Sequence, residues 1–75
     1  MAALGQVVYY VSRGRMGEAP KGSALAAIVI WPPQTPHGPV TLYVLDPSAG
    51  PTIVRDVVED HEAGEPGTWH YPGVL

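Results

Sequence analysis

Ala24-Leu25-Ala26-Ala27-Ile28-Val29-Ile30-Trp31-Pro32-Pro33 is the stretch that decides the fold. Its first eight residues are the most apolar run of the chain, and their three alanines make a helix the rival reading. Two consecutive prolines stop any helix at that point, and eight residues are too few for a buried one. The stretch therefore reads as a central strand, whose small Ala24, Ala26 and Ala27 let another strand or layer approach closely.

On its N-terminal side, residues 13–23 hold Gly14, Gly17, Pro20 and Gly22 together with Arg13, Arg15 and Lys21. So many backbone punctuators predict a long basic loop, expected to be mobile until it meets an acidic partner surface. Before it, Gly5-Gln6-Val7-Val8-Tyr9-Tyr10-Val11-Ser12 is β-branched and aromatic, hence a first strand. On the C-terminal side, residues 32–39 form a stiff proline-rich connection in which His37 reads as a lone solvated imidazole. Val40-Thr41-Leu42-Tyr43-Val44-Leu45 alternates as a third strand, and Asp46-Pro47-Ser48-Ala49-Gly50 is a turn. Residues 52–58 give a fourth strand, with a helix over residues 53–62 as its rival. An acidic loop over residues 59–67 then leads to Gly67-Thr68-Trp69-His70-Tyr71-Pro72, a short terminal strand that Pro72 ends.

Five short strands with a long first loop predict one all-β domain over residues 1–75, a small five-stranded SH3-like barrel. A partly open barrel or a flattened β-sandwich is the alternative. Alternation along the strands predicts a core of Val7, Val11, Ala26, Ile28, Leu42, Val44 and Trp69.

Composition narrows the function. Nine glycines and nine prolines among 75 residues suit turns and short strands and leave no room for long helices. A chain of this length buries roughly 60% of its unfolded surface, so its core is marginal and a partner surface would help it. The sequence contains no cysteine, which excludes disulfides, thiolate zinc sites and cysteine nucleophiles. If the fold is stapled, something other than sulfur does it. No apolar run approaches the ~20 residues of a membrane span. Met1-Ala2-Ala3-Leu4 has neither a basic segment nor a long apolar one, so no secretory signal is predicted. Net charge is −3, divided into +2 over residues 1–40 and −5 over residues 41–75. An acidic chain with dispersed cations argues against nucleic acid as a partner, while the opposed ends fit head-to-tail or lattice contacts.

Catalytic signatures are sparse. No glycine-rich phosphate loop precedes a helix, and Ser12, Ser23 and Ser48 lack a nucleophile context. His70 with a carboxylate would make a base only in a pocket between subunits. Asp56, Glu59, Asp60, His61 and Glu62 are too nearly consecutive to converge on an ion, so no metal and no cofactor is predicted. Partner contact is expected at Arg13, Arg15, Lys21, Trp31, Tyr10 and Tyr43. Trp69, His70 and Tyr71 are the candidate for a ligand pocket.

Four segments carry a resemblance. Tyr9-Tyr10-Val11-Ser12-Arg13-Gly14, Leu25-Ala26-Ala27-Ile28-Val29, Leu42 through the turn at Gly50, and Gly67-Thr68-Trp69-His70-Tyr71-Pro72 stand in order along the chain. They resemble the "HYVSYG", "RAAIVT", "LxVxxPxG" and "GTWHWP" segments of a group of small proteins encoded by phages of actinobacteria. Tyr9, Leu25 and Tyr71 stand where that group has His, Arg and Trp, and losing the first two favours a packing surface over a catalytic one. The resemblance implies a virion structural protein, such as a capsid decoration or head-associated protein, bound to capsid or other virion subunits or to copies of itself. The alternative is a phage module that sequesters a nucleotide or blocks a host factor, with Trp69, His70 and Tyr10 stacking and Arg13 or Arg15 on a phosphate.

Overall fold

The computed structural model describes residues 2–62 and 64–72. It contains five strands: β1 (Val7–Val11), β2 (Ala24–Trp31), β3 (Val40–Asp46), β4 (Gly50–Val57) and β5 (Trp69–His70). They form one antiparallel sheet in the order β4-β3-β2-β1-β5. The first four make a meander, and the chain then returns to lay β5 on the free side of β1. The all-β expectation holds, and strand continues to Val57 where a helix was the rival. Met1 of the N-terminal stretch and Ala63 of the acidic loop lie outside the described residues.

Local chemistry sets each junction. Asp46 Oδ1 accepts from the Ser48 and Ala49 amides at 2.7 and 3.1 Å, and Gly50 closes the three-residue loop at φ +81°. Between β2 and β3 the register steps from Val29↔Leu42 to Trp31↔Thr41, so Ile30 is an extra residue. That bulge resets the alternation and sends Trp31 outward instead of into the core. A second bulge between β3 and β4 contains Asp56 at φ +58° and returns Val57 to the core. Both bulges add local twist and bend to the sheet.

The sheet does not close as a continuous ladder. Its edges, β4 and β5, are joined by the segment that follows β4. The Trp69 amide donates to the Val58 carbonyl at 3.0 Å, and the Asp60 amide donates to the Trp69 carbonyl at 2.9 Å. The terminal strand is thus held on both sides.

The core is formed by Val8, Tyr10, Leu25, Ala27, Val29, Val40, Leu42, Val44, Val57 and Trp69, with Ala2 and Ala19 at its margins. Leu42, Val44 and Trp69 are where the alternation put them. In β1 and β2 the phase is one residue off. Val7 is 52% exposed, Ala26 is exposed and Ile28 only half-buried, while Val8, Tyr10, Leu25, Ala27 and Val29 point inward. Val11 is buried as expected, although it faces away from Tyr10.

The loop over residues 13–23 is built rather than slack. The Ser12 hydroxyl donates to the Ala19 carbonyl at 2.8 Å and accepts from the Gly14 amide at 3.1 Å. The Ser12 amide and carbonyl bond Ser23 and Gly22 across the loop's base. Ala19 is buried, and its amide reaches Asp46 Oδ2 at 3.1 Å. The expectation of a loop without order of its own is corrected by these anchors, which need no partner.

Candidate functional site

Three surfaces and one side-chain cluster account for the residues with chemistry to offer. The first is the outer face of the sheet. Val7 pairs with Ile28, Ile28 with Tyr43, and Tyr43 with Ile53, so one apolar row crosses four strands. Val7, Tyr43 and Ile53 in it are exposed. The next row sets Tyr9 against Ala26 and Leu45 against Pro51, with Leu45 exposed as well. Beside them the bulge delivers Trp31, 63% exposed, into a shallow groove of about 360 Å³ shared with Ile30, Thr41, Ile53 and Arg55. Trp31 and Tyr43, both expected at a partner contact, are both exposed on this face.

The second surface is a cleft of about 270 Å³ in which Tyr10, Arg13, Arg15 and Glu18 face residues 52–55 of β4. It gathers three of the four cationic side chains of the sequence, Arg13, Arg15 and Arg55. Glu18 accepts from the Arg15 amide at 3.1 Å, which folds the turn that aims these groups. Gly67 leaves room for the Arg13 guanidinium, since any Cβ there would collide with it. Lys21 is exposed but does not line the cleft, and its backbone packs on Gly14, where a Cβ would meet the Lys21 nitrogen and Cα at 2.7 and 2.8 Å. Tyr10 is corrected from an exposed contact residue to a core residue, 6% exposed, whose edge reaches this cleft. Burial pushes its hydroxyl above the ordinary value; Arg13 and Arg15 oppose the shift and Glu18 adds to it.

Trp69, His70 and Tyr71, the candidates for a ligand pocket, do not share one face of the sheet. Trp69 belongs to the core and meets Tyr71 edge-on, with ring centroids 5.0 Å apart. His70 faces the other way, edge-on to Tyr9 at 5.6 Å, and is 2% exposed. Trp69 Nε1 and both His70 ring nitrogens are buried without a hydrogen-bond partner among the described residues. Tyr71 is half-buried, and burial, then the charge of Glu59, raises its hydroxyl pKa. None of the three lines any of the clefts described here.

The third surface is an acidic hollow of about 480 Å³ lined by Glu59, Asp60, Glu62, Gly64, Glu65 and Thr68. Asp60 organises it: its carboxylate accepts from the amides of Glu62, Gly64 and Glu65 at 2.8–3.1 Å. Those bonds, the Glu65 amide foremost, hold its pKa below the ordinary value. At its margin, Glu59, His61 and His37 bring one ligand atom each within 4.8 Å of the others. His37 is therefore not the lone loop imidazole expected from the sequence. Nothing in the linear spacing reveals this cluster, because His37 precedes the β3–β4 hairpin and the other two residues follow it.

No protein-family model, curated protein or solved structure matches the chain.

Proposed function

We propose that this protein is a non-enzymatic structural component of a phage particle, lying in many copies on a shell subunit through the outer face of its sheet. The observation that supports this reading is the row Val7–Ile28–Tyr43–Ile53, extended by Trp31 and Leu45. A monomeric surface rarely leaves large apolar side chains contiguous across four strands, and such a patch marks an interaction site. Its residues sit on strands, so they are presented with little conformational entropy to lose on docking. Trp31 and Tyr43 are of the type that anchors interfaces. A 75-residue domain with a marginal core gains from burying a second apolar face, and a shell offers that surface at high local density. Assignment to a virion comes from the four resembling segments; the apolar face supports the docking itself.

Quantitative mass spectrometry of gradient-purified virions tests the proposal. The chain is expected at a copy number comparable to that of the capsid subunit.

A second reading is favoured by the arginine cleft, which suits an anionic ligand such as a nucleotide phosphate. Absence of the chain from particles, together with a nucleotide co-purifying with it, would decide for that reading.

A further inference from the structure

We propose that His37, Glu59 and His61 form a binding site for a borderline divalent transition metal of the zinc type. Two imidazoles and a carboxylate are a recurrent three-ligand set for such ions, which then take water or another donor at the remaining position. One ligand atom from each side chain lies within 4.8 Å of the other two, and His61 Nδ1 is 3.3 Å from Glu59 Oε2. Metal–ligand bonds of ~2.0–2.1 Å put tetrahedral donors about 3.3 Å apart. The Glu59–His61 pair already has that separation, and a side-chain rotation of exposed His37 closes the rest.

A simple ion pair between His61 and Glu59 is the ordinary explanation of their contact, and exposed pairs of this kind contribute little. It gives no reason for His37 to arrive at the same point from a different loop. The surroundings point to a cation as well. The hollow beside the cluster adds Glu62 and Glu65, whose charges raise the local concentration of cations. Asp60 is no competitor as a ligand, because its oxygens are committed to three backbone amides. Calcium and magnesium ask for six or more oxygen donors and fit two imidazoles poorly.

The position gives the ion a structural consequence. Glu59 lies in the bridge that holds Trp69, whereas His37 lies in the proline-rich connection between β2 and β3. An ion bound to both ties that connection to the segment joining the sheet's two edges, in a chain with no cysteine to do so. Ligand binding to the folded state alone stabilises it by mass action, so the metal should raise the melting temperature.

The test is calorimetric titration of the untagged full chain with Zn²⁺, paired with thermal unfolding in Zn²⁺ and in Mg²⁺. One ion per chain is expected, with a raised melting temperature in Zn²⁺ and none in Mg²⁺. Co²⁺ in place of Zn²⁺ should give visible absorption bands of a low-symmetry site. Loss of an outer-shell partner alone costs a metal site ~10–100-fold in affinity, so H37A and H61A should each cost no less. H37Q serves as a second variant should H37A unfold, and E62Q, which removes a charge from the hollow but no ligand, should weaken binding less than either histidine variant does. Absence of Zn²⁺ binding, or binding of undiminished affinity in both His37 variants, overturns the site.

Discussion

At the scale of single residues, the terminal strand sets two neighbours to opposite tasks. Trp69 and His70 are equally buried, yet one fills the core and the other lies under Tyr9 on the far side of the sheet. Trp69→Ala should lower the unfolding free energy by about 3–5 kcal/mol in urea titration, the usual cost of deleting a core aromatic. His70→Phe should act in the opposite sense. It retains the edge-on ring against Tyr9 and removes two buried nitrogens that find no partner among the described residues. A stability gain on the order of 1–3 kcal/mol is expected, the cost of an unsatisfied buried polar group; a loss would mean that the imidazole is hydrogen-bonded in solution. The tryptophan's place in the core was legible from the in-out alternation of a strand. The histidine's burial was not, because no pattern within Gly67-Thr68-Trp69-His70 says what covers the second face.

At the scale of elements, every strand was legible and two of their phases were not. β3 alternates apolar with polar or aromatic residues, so Val40, Leu42 and Val44 declare their side. β1 and β2 carry apolar residues on both faces, as in Val7-Val8 and Ala26-Ala27-Ile28-Val29, and period-two reasoning has nothing to grip. The two phase errors are consistent with one another, since Val8 opposes Ala27 and Tyr10 opposes Leu25. The order of the 13–23 loop was hidden for another reason: its anchor, Asp46, lies in a distant turn. This anchor yields a pH prediction. Backbone donors, Ala19 first, hold the Asp46 pKa below its ordinary 3.8, and Asp60 is lowered likewise, chiefly by Glu65. A carboxyl with a depressed folded pKa contributes its full stabilisation above the unfolded value and loses it as pH falls through the folded one. Protection of the Ala19 amide from hydrogen exchange should therefore be constant at neutral pH and fall in acid, below the ordinary carboxylate range. In D46A that protection should already be lost at neutral pH, with the β-sheet amides of β2 and β3 still protected.

At the scale of the whole molecule, the two-sided apolar composition of β1 and β2 is what exposes an apolar surface, and the phase decides which residues form it. Had Val7 and Ile28 pointed inward, the outer face would have carried Val8, Ala27 and Val29 instead, which are apolar as well, so either phase leaves β1 and β2 with an apolar face outside the core. With both faces apolar, the sheet has one side filled by its own core and one side that water covers at a cost. Ile53→Lys separates docking from folding. Ile53 is 48% exposed at the outer end of the row, so a lysine there disturbs little packing, and a surface substitution of this kind changes stability by less than about 0.5 kcal/mol. In an interface, the same lysine would be desolvated beside its cross-strand partner Tyr43 and among Trp31, Thr41 and Arg55, with like charge adjacent and no carboxylate among the described residues that line the groove. Truncating a central aromatic anchor typically weakens binding by 2 kcal/mol or more, roughly thirtyfold, and Trp31→Ala should fall in that range. Cosedimentation with particles lacking the native chain measures both. Parent protein is expected in the particle fraction, and I53K and W31A in the supernatant with unchanged melting temperatures. Retention of both variants on the particle would remove the outer face as the docking surface and leave the arginine cleft to account for any binding.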